Sequence, residues 1–166
     1  MDELFNKAVQ VVLKHEGGYC DDLHDPGGAT KFGISSKFLK ENNLHLNIKL
    51  LSEDEAKFIY KKYFWLPYHF DKLIQPDIAI KIFDTAINIG PSPAIKIGQQ
   101  IVSRFFIDFL IDGIMGIDTQ DAFNSVNESF FLDNYRDLQV KYYKSLIAKN
   151  PSLDVFLKGW EIRAES

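Results

Sequence analysis

The chain has 166 residues, 46% of them apolar and 25% charged, with a formal net charge of −4. That composition fits one compact domain, or one domain with a small appendage, and argues against disorder. The acidic balance also argues against nucleic acid as the main partner, because phosphate binding needs a basic face.

The first segment, MDELFNKAVQVVLKHEGG, begins with acids where a secretory signal is basic. The expectation is a protein made in the cytoplasm without a signal peptide, which needs another factor to reach any substrate outside. Leu4, Phe5, Ala8, Val9, Val12 and Leu13 recur at helical spacing, so residues 3–15 are predicted to form an amphipathic helix. Gly17-Gly18 ends it, since glycine takes the left-handed conformation of a helix C-cap. Glu16 therefore falls at the very end of the helix, facing the negative pole of its dipole, a setting that disfavours a charged carboxylate.

Residues 19–35 are rich in turn formers, with DPGG at 25–28, and Thr30 to Ile34 is predicted to be a short strand of a small hairpin. Ser52-Glu53-Asp54-Glu55 is a capping box. The helix it opens carries Ala56, Ile59, Tyr60, Tyr63 and Phe64 and stops before Pro67. A helix over 77–89 ends at Gly90-Pro91, and another starts at Ser92-Pro93. Asp118 is predicted to cap a short helix, and 130–149 to form a long one. After Pro151 a last helix carries Phe156, Leu157 and Trp160. No apolar run is long enough to span a bilayer; the candidate at 105–111 is broken by Asp108. The fold class expected is mainly α, with one small β-hairpin near the N-terminus.

The stretch HEGGYCDDLHDPGGATKFGIS, residues 15–35, carries the chemistry. As a spacing it is E-x8-D-x4-T: Glu16, Asp25, Thr30. Cleaving a glycosidic bond takes one acid to protonate the leaving oxygen and a second group to activate water or attack carbon. Glu16, beside glycines that let a substrate come close, suits the acid. Asp25 suits the base across a cleft, and Thr30 can hold the water. The competing reading is structural: Asp-Pro-Gly-Gly is a good turn without any catalysis, and Thr30 is an ordinary strand residue. Spacing alone leaves both open.

The same stretch resembles the signature of the glycoside hydrolase family 108 muramidases, lysozyme-like enzymes of phages and bacteria. The resemblance continues through LSEDEAKFIYKKYFW, IKIFDTAINIGPSPAIKIGQQIV, DGIMGIDTQDAF and FLKGWEIR, and covers nearly the whole chain in order. It implies a lysozyme-like helical fold and hydrolysis of the bond between N-acetylmuramic acid and N-acetylglucosamine in peptidoglycan. The family's catalytic Glu in its EGGY motif falls on Glu16. Asp25 and Thr30 match by analogy with the Glu/Asp/Thr arrangement of phage-type lysozymes, whose gap before Thr is one residue longer. Asp21 and Asp22 are alternative bases. The second half resembles the peptidoglycan-binding region paired with this catalytic domain. The division expected is a catalytic region at 1–90 and a helical wall-binding region at 91–166, packed as one body.

Around that core of the reading, Tyr19 lines the cleft or is a partly buried structural tyrosine. Tyr60 and Trp65 offer sugar-stacking faces or, at helical spacing, simply fill the core. Asp84 and Asn88, one turn apart in an apolar helix, need partners: substrate hydroxyls and N-acetyl groups, or groups of the protein itself. DGIMG at 112–116 resembles a peptidoglycan-binding turn. His15, His24, His45, His69 and Cys20 match no zinc signature, and the mechanism needs no metal or other cofactor. The partner expected is the peptidoglycan glycan strand, with a holin-like factor for export and the protein acting as a monomer. Two other readings remain: a lytic transglycosylase, which uses one acid and no separate base, and a wall-binding module without catalysis.

Overall fold

The structure is a computed structural model that describes residues 2–20 and 28–166. Among the described residues it is mainly helical, with eight α-helices and one two-stranded antiparallel hairpin. None of these helices is long and apolar enough to cross a membrane. The chain divides into two compact units, Met1–Asp71 and Lys72–Ser166.

In the first unit, helix α1 (Asp2–Glu16) buries Phe5, Ala8, Val9 and Val12, the stripe that the apolar spacing predicts. Strands β1 (Thr30–Lys31) and β2 (Ile34–Ser35) pair Thr30 with Ser35 and Lys31 with Ile34. The predicted strand is thus a complete hairpin folded within six residues. Ser35 then caps α2 (Ser36–Glu41), its hydroxyl accepting from the Phe38 N–H at 3.0 Å. This short helix has too few apolar repeats to show in the sequence. Helix α3 (Glu53–Tyr60) opens with the capping box in full: Ser52 Oγ accepts from Glu55 N, and Glu55 accepts from Ser52 N.

A π-helical turn, Lys61–Trp65, follows α3, closed by Leu66 N donating to Lys61 O at 3.1 Å. Residues five apart in an α-helix point about 140° away from each other, whereas a π turn brings them towards one side. Tyr60 and Trp65 are each 1% exposed. Trp65 packs edge-on to Phe5 of α1, with centroids 5.5 Å apart, and lies 5.7 Å from the ring of Phe70. Phe5, Tyr60, Trp65 and Phe70 therefore go into the core of this unit, while Tyr19, Phe58 and Tyr68 stay exposed.

The second unit is helical throughout: α4 (Pro76–Ile89), α5 (Pro91–Val102), α6 (Ile117–Ser125), α7 (Glu128–Lys149) and α8 (Leu157–Glu165), the last reached through a 3₁₀ segment, Pro151–Phe156. Pro76 and Pro91 occupy first-turn positions, where the missing N–H costs nothing. Gly116, not Asp118, is the N-cap of α6, and Asp118 sits inside the first turn, where its charge faces the positive end of the helix. Gly98 of α5 has no side chain because Phe123 and Phe131 occupy that space: a Cβ there would lie 2.6 Å from Phe123 Cζ. Trp160 stacks on Tyr143 at 4.9 Å and on Phe156 at 5.9 Å, tying α8 to α7.

Candidate active site

Glu16 is the last residue of α1, and Gly17 follows with a φ of 66°. That left-handed turn releases the chain from the helix and leaves the half-buried Glu16 side chain at the helix end. What the carboxyl rests against is the tip of the hairpin. A Cβ placed on Gly33 would lie 2.6 Å from Glu16 Oε2, 2.7 Å from its Cγ and 2.8 Å from its Cδ. The carboxyl group therefore occupies the space that any other residue at 33 would fill.

The tip itself is a two-residue loop, Phe32-Gly33, with φ of 52° and 72°. Two left-handed residues in succession make the type I′ turn, whose twist matches that of paired strands. The hairpin is extended on its other side by a bridge between Cys20 and Thr30: Cys20 N donates to Thr30 O at 2.9 Å and Thr30 N to Cys20 O at 2.8 Å. Thr30 is half-buried. The first unit thus carries Glu16 at the hairpin's tip and Thr30 at its base. Asp25, and with it Asp21, Asp22 and His24, lies outside the described residues.

Tyr19 is 40% exposed, and the Lys49 ammonium sits 5.8 Å from its ring centroid. Tyr60 presents no ring face outward: it is 1% exposed, and its hydroxyl donates to the Phe32 carbonyl at 2.5 Å. Trp65 is equally enclosed.

In the second unit, Asp84 is 2% exposed and engaged by Arg163 of α8. Arg163 Nε donates to Asp84 Oδ2 at 2.9 Å, and Nη2 to Oδ1 at 2.8 Å and to the Asp84 carbonyl at 3.2 Å. Asn88 Oδ1 accepts from the Tyr143 hydroxyl at 2.9 Å. Burial raises the Tyr143 phenol to about 12, so this hydroxyl remains a donor at neutral pH. Of the partners the sequence leaves open for these two residues, Arg163 and Tyr143 are groups of the protein itself. The sequence separation of 79 between Asp84 and Arg163 hides their pairing from any local pattern.

The DGIMG turn is organised by a residue the sequence does not advertise. Gln99 of α5 is fully buried, its amide Nε2 donating to Asp112 Oδ1 at 2.9 Å and to Thr119 Oγ1 at 3.0 Å. Its Oε1 accepts from Gly113 N at 2.8 Å. The Gln99 amide, and then the Ile114 N–H, hold the Asp112 carboxyl below its usual range. The turn borders a groove of about 790 Å³, lined by apolar residues such as Phe106, Phe109 and Ile114 and by Asp108, Asp118 and Asp121. Among the described residues no three His, Cys, Asp or Glu side chains gather as a metal site would require.

Residues 9–90 match the family model described as glycosyl hydrolase 108, and residues 93–165 match the one described as a predicted peptidoglycan domain. The chain belongs to the glycosyl hydrolase 108 family. Its two matched regions make this family 108 chain a peptidoglycan hydrolase, with peptidoglycan as its ligand. It is similar to the solved structure of SagA from Brucella abortus, with a TM-score of 0.80 and 27% identity over 99% of this chain and 91% of that one. No curated protein matches it. The glycosyl hydrolase match ends at residue 90, after α4, whereas the first compact unit ends at Asp71. Helix α4 thus lies within the hydrolase match while packing with the helices of the second unit.

Proposed function

We propose that the chain is an N-acetylmuramidase, cleaving the β-1,4 bond between N-acetylmuramic acid and N-acetylglucosamine. The observation that carries this reading is the seat of Glu16: a carboxyl at a helix end, held against a left-handed hairpin tip whose Gly33 leaves the space it occupies. In the reaction Glu16 gives its proton to the glycosidic oxygen as the bond to C1 breaks. Water attacks C1 and passes a proton to Asp25, while the Thr30 hydroxyl orients that water. An acid and a base separated by roughly 6.5–9.5 Å leave room for the water and invert the anomeric centre. Tyr19, three residues after Glu16 and exposed, supplies a face for a sugar ring. Asp84 and Asn88 belong to the framework in this reading, because each is already bonded within the protein.

Residues 1–90 perform the chemistry and residues 91–166 hold the wall, with the groove beside DGIMG as the holding surface. Since the wall lies outside the cytoplasm, the reading includes a holin-like factor that gives the enzyme access to it. Mass spectrometry of wall fragments tests the reaction type. Reducing muramic ends carrying oxygen from labelled water are expected, and lost with Asp25→Asn. Anhydro-muramic ends, unaffected by Asp25→Asn, would make the chain a lytic transglycosylase instead.

A further inference from the structure

The hairpin tip that seats Glu16 is strained at its first residue. Turns with two left-handed residues favour Asn, Asp or Gly at the first position. Here that position is Phe32, at φ 52°. A bulky side chain in this region is strained and persists only where its surroundings hold it. One such hold comes from the core. The Tyr60 hydroxyl, inside the core of the first unit, donates a 2.5 Å hydrogen bond to the Phe32 carbonyl. That carbonyl belongs to the peptide unit joining Phe32 to Gly33. It is therefore pinned directly beside the residue whose missing Cβ makes room for the Glu16 carboxyl.

Tyr60 itself is placed rigidly. It is the last residue of α3, and the π turn that follows carries Trp65 into the same core. The ring of Phe64 lies 5.9 Å from that of Tyr60. A short chain of contacts then runs from helix end to hairpin tip to carboxyl.

We propose that Tyr60 is a positioning residue for the hydrolysis, its hydroxyl holding the Phe32-Gly33 turn in the conformation that seats Glu16. The proposal rests on the reading of Glu16 as the acid. It gives the tyrosine a role distinct from sugar stacking, because the group that acts is the buried hydroxyl and not the ring.

The test is steady-state kinetics on a soluble glycan substrate with Tyr60→Phe, Glu16→Gln and the double variant Tyr60→Phe/Phe32→Gly, each checked by thermal melting. Tyr60→Phe keeps the ring and removes only the hydrogen bond. We expect its kcat to fall about 10-fold with KM within about twofold, the signature of an interaction made in the transition state. Adding Phe32→Gly removes the strain that the hydroxyl restrains, since glycine takes the left-handed conformation without penalty. The double variant is therefore expected to recover kcat to within about threefold of the native value, as relief of strain at the turn requires. A native kcat in Tyr60→Phe, beside an inactive Glu16→Gln, overturns the positioning role and leaves the acid assignment standing. A loss in Tyr60→Phe that Phe32→Gly does not recover also overturns it, because the hydroxyl would then act by some route other than the turn. An active Glu16→Gln overturns the acid assignment and the positioning role together.

Discussion

Replacing Arg163 with Met leaves the Asp84 carboxylate buried in α4 without the guanidinium that now grips both of its oxygens. The pair is enclosed, with side-chain exposures of 9% for Arg163 and 3% for Asp84, and bidentate at 2.8 and 2.9 Å. Removing one partner of such a pair costs about 3–5 kcal/mol, because the remaining charge keeps its desolvation penalty and loses its compensation. In a chain of this size that corresponds to a fall in melting temperature of roughly 10 °C or more. Asp84→Leu is expected to lose a similar amount, since it strands Arg163 instead. The double variant Asp84→Leu/Arg163→Met has no stranded charge and is expected to regain most of the loss, with a coupling of about 3 kcal/mol. Urea unfolding followed by tryptophan fluorescence provides the assay. Trp160, stacked on Tyr143, reports the second unit, and Trp160→Phe identifies which transition belongs to it. Single variants that each lose under about 1 kcal/mol, or a double variant no better than their sum, would refute the reasoning. If wall cleavage returns with stability in the double variant, Asp84 belongs to the framework. Stability without cleavage would place it at the substrate.

Gly33→Ala adds a methyl group where Glu16 now lies, at a φ of 72° that L side chains avoid. It is expected to lower kcat at least about 10-fold while costing only ~1–2 kcal/mol of stability, read by kinetics and melting together. Lys81 is buried, and burial lowers its ammonium to about 8, below the ordinary lysine value of 10.5. The folded chain therefore sheds that proton first, and stability is expected to rise by up to ~3 kcal/mol as pH climbs from about 8 towards 10.5. Lys81→Met should flatten this rise in denaturant titrations across that window; an unchanged slope would assign it to other groups. Gln99→Leu strips Asp112, Gly113 and Thr119 of their shared partner. A loss of about 1–3 kcal/mol and faster amide exchange at Gly113 are expected.

How legible these features are in the sequence depends on how local their causes are. The amphipathic stripe of α1, the Ser52 capping box and the Gly90-Pro91 break after α4 show in the letters because each is settled within a few neighbours, although α4 starts at Pro76 and not Asp77, and α5 at Pro91 and not at Ser92-Pro93. The short α2 and the π turn do not, since the first has too few repeats and the second answers to packing around Trp65. Glu16 is visible from its helix end and its glycines. Its seat is not, because Gly33 and Tyr60 reach it only through the folded hairpin. The partners of Asp84 and Asn88 come from α8 and α7, so periodicity marks both residues as needing a bond without saying whose. Gln99 is one amide in an apolar helix, and only the turn folded over it reveals its work.

The central claim is that the Glu16 carboxyl delivers the proton that breaks the glycan. Its most direct test is the rate of wall clearing by Glu16→Gln beside the native protein, at matched concentration and with melting temperatures compared. Gln keeps the shape of the side chain and cannot act as the acid. The account predicts a loss of roughly 100- to 10,000-fold in a protein that melts as the native one does. Comparable clearing by the two proteins would contradict it, and would return the helix end and its glycines to the role of a turn.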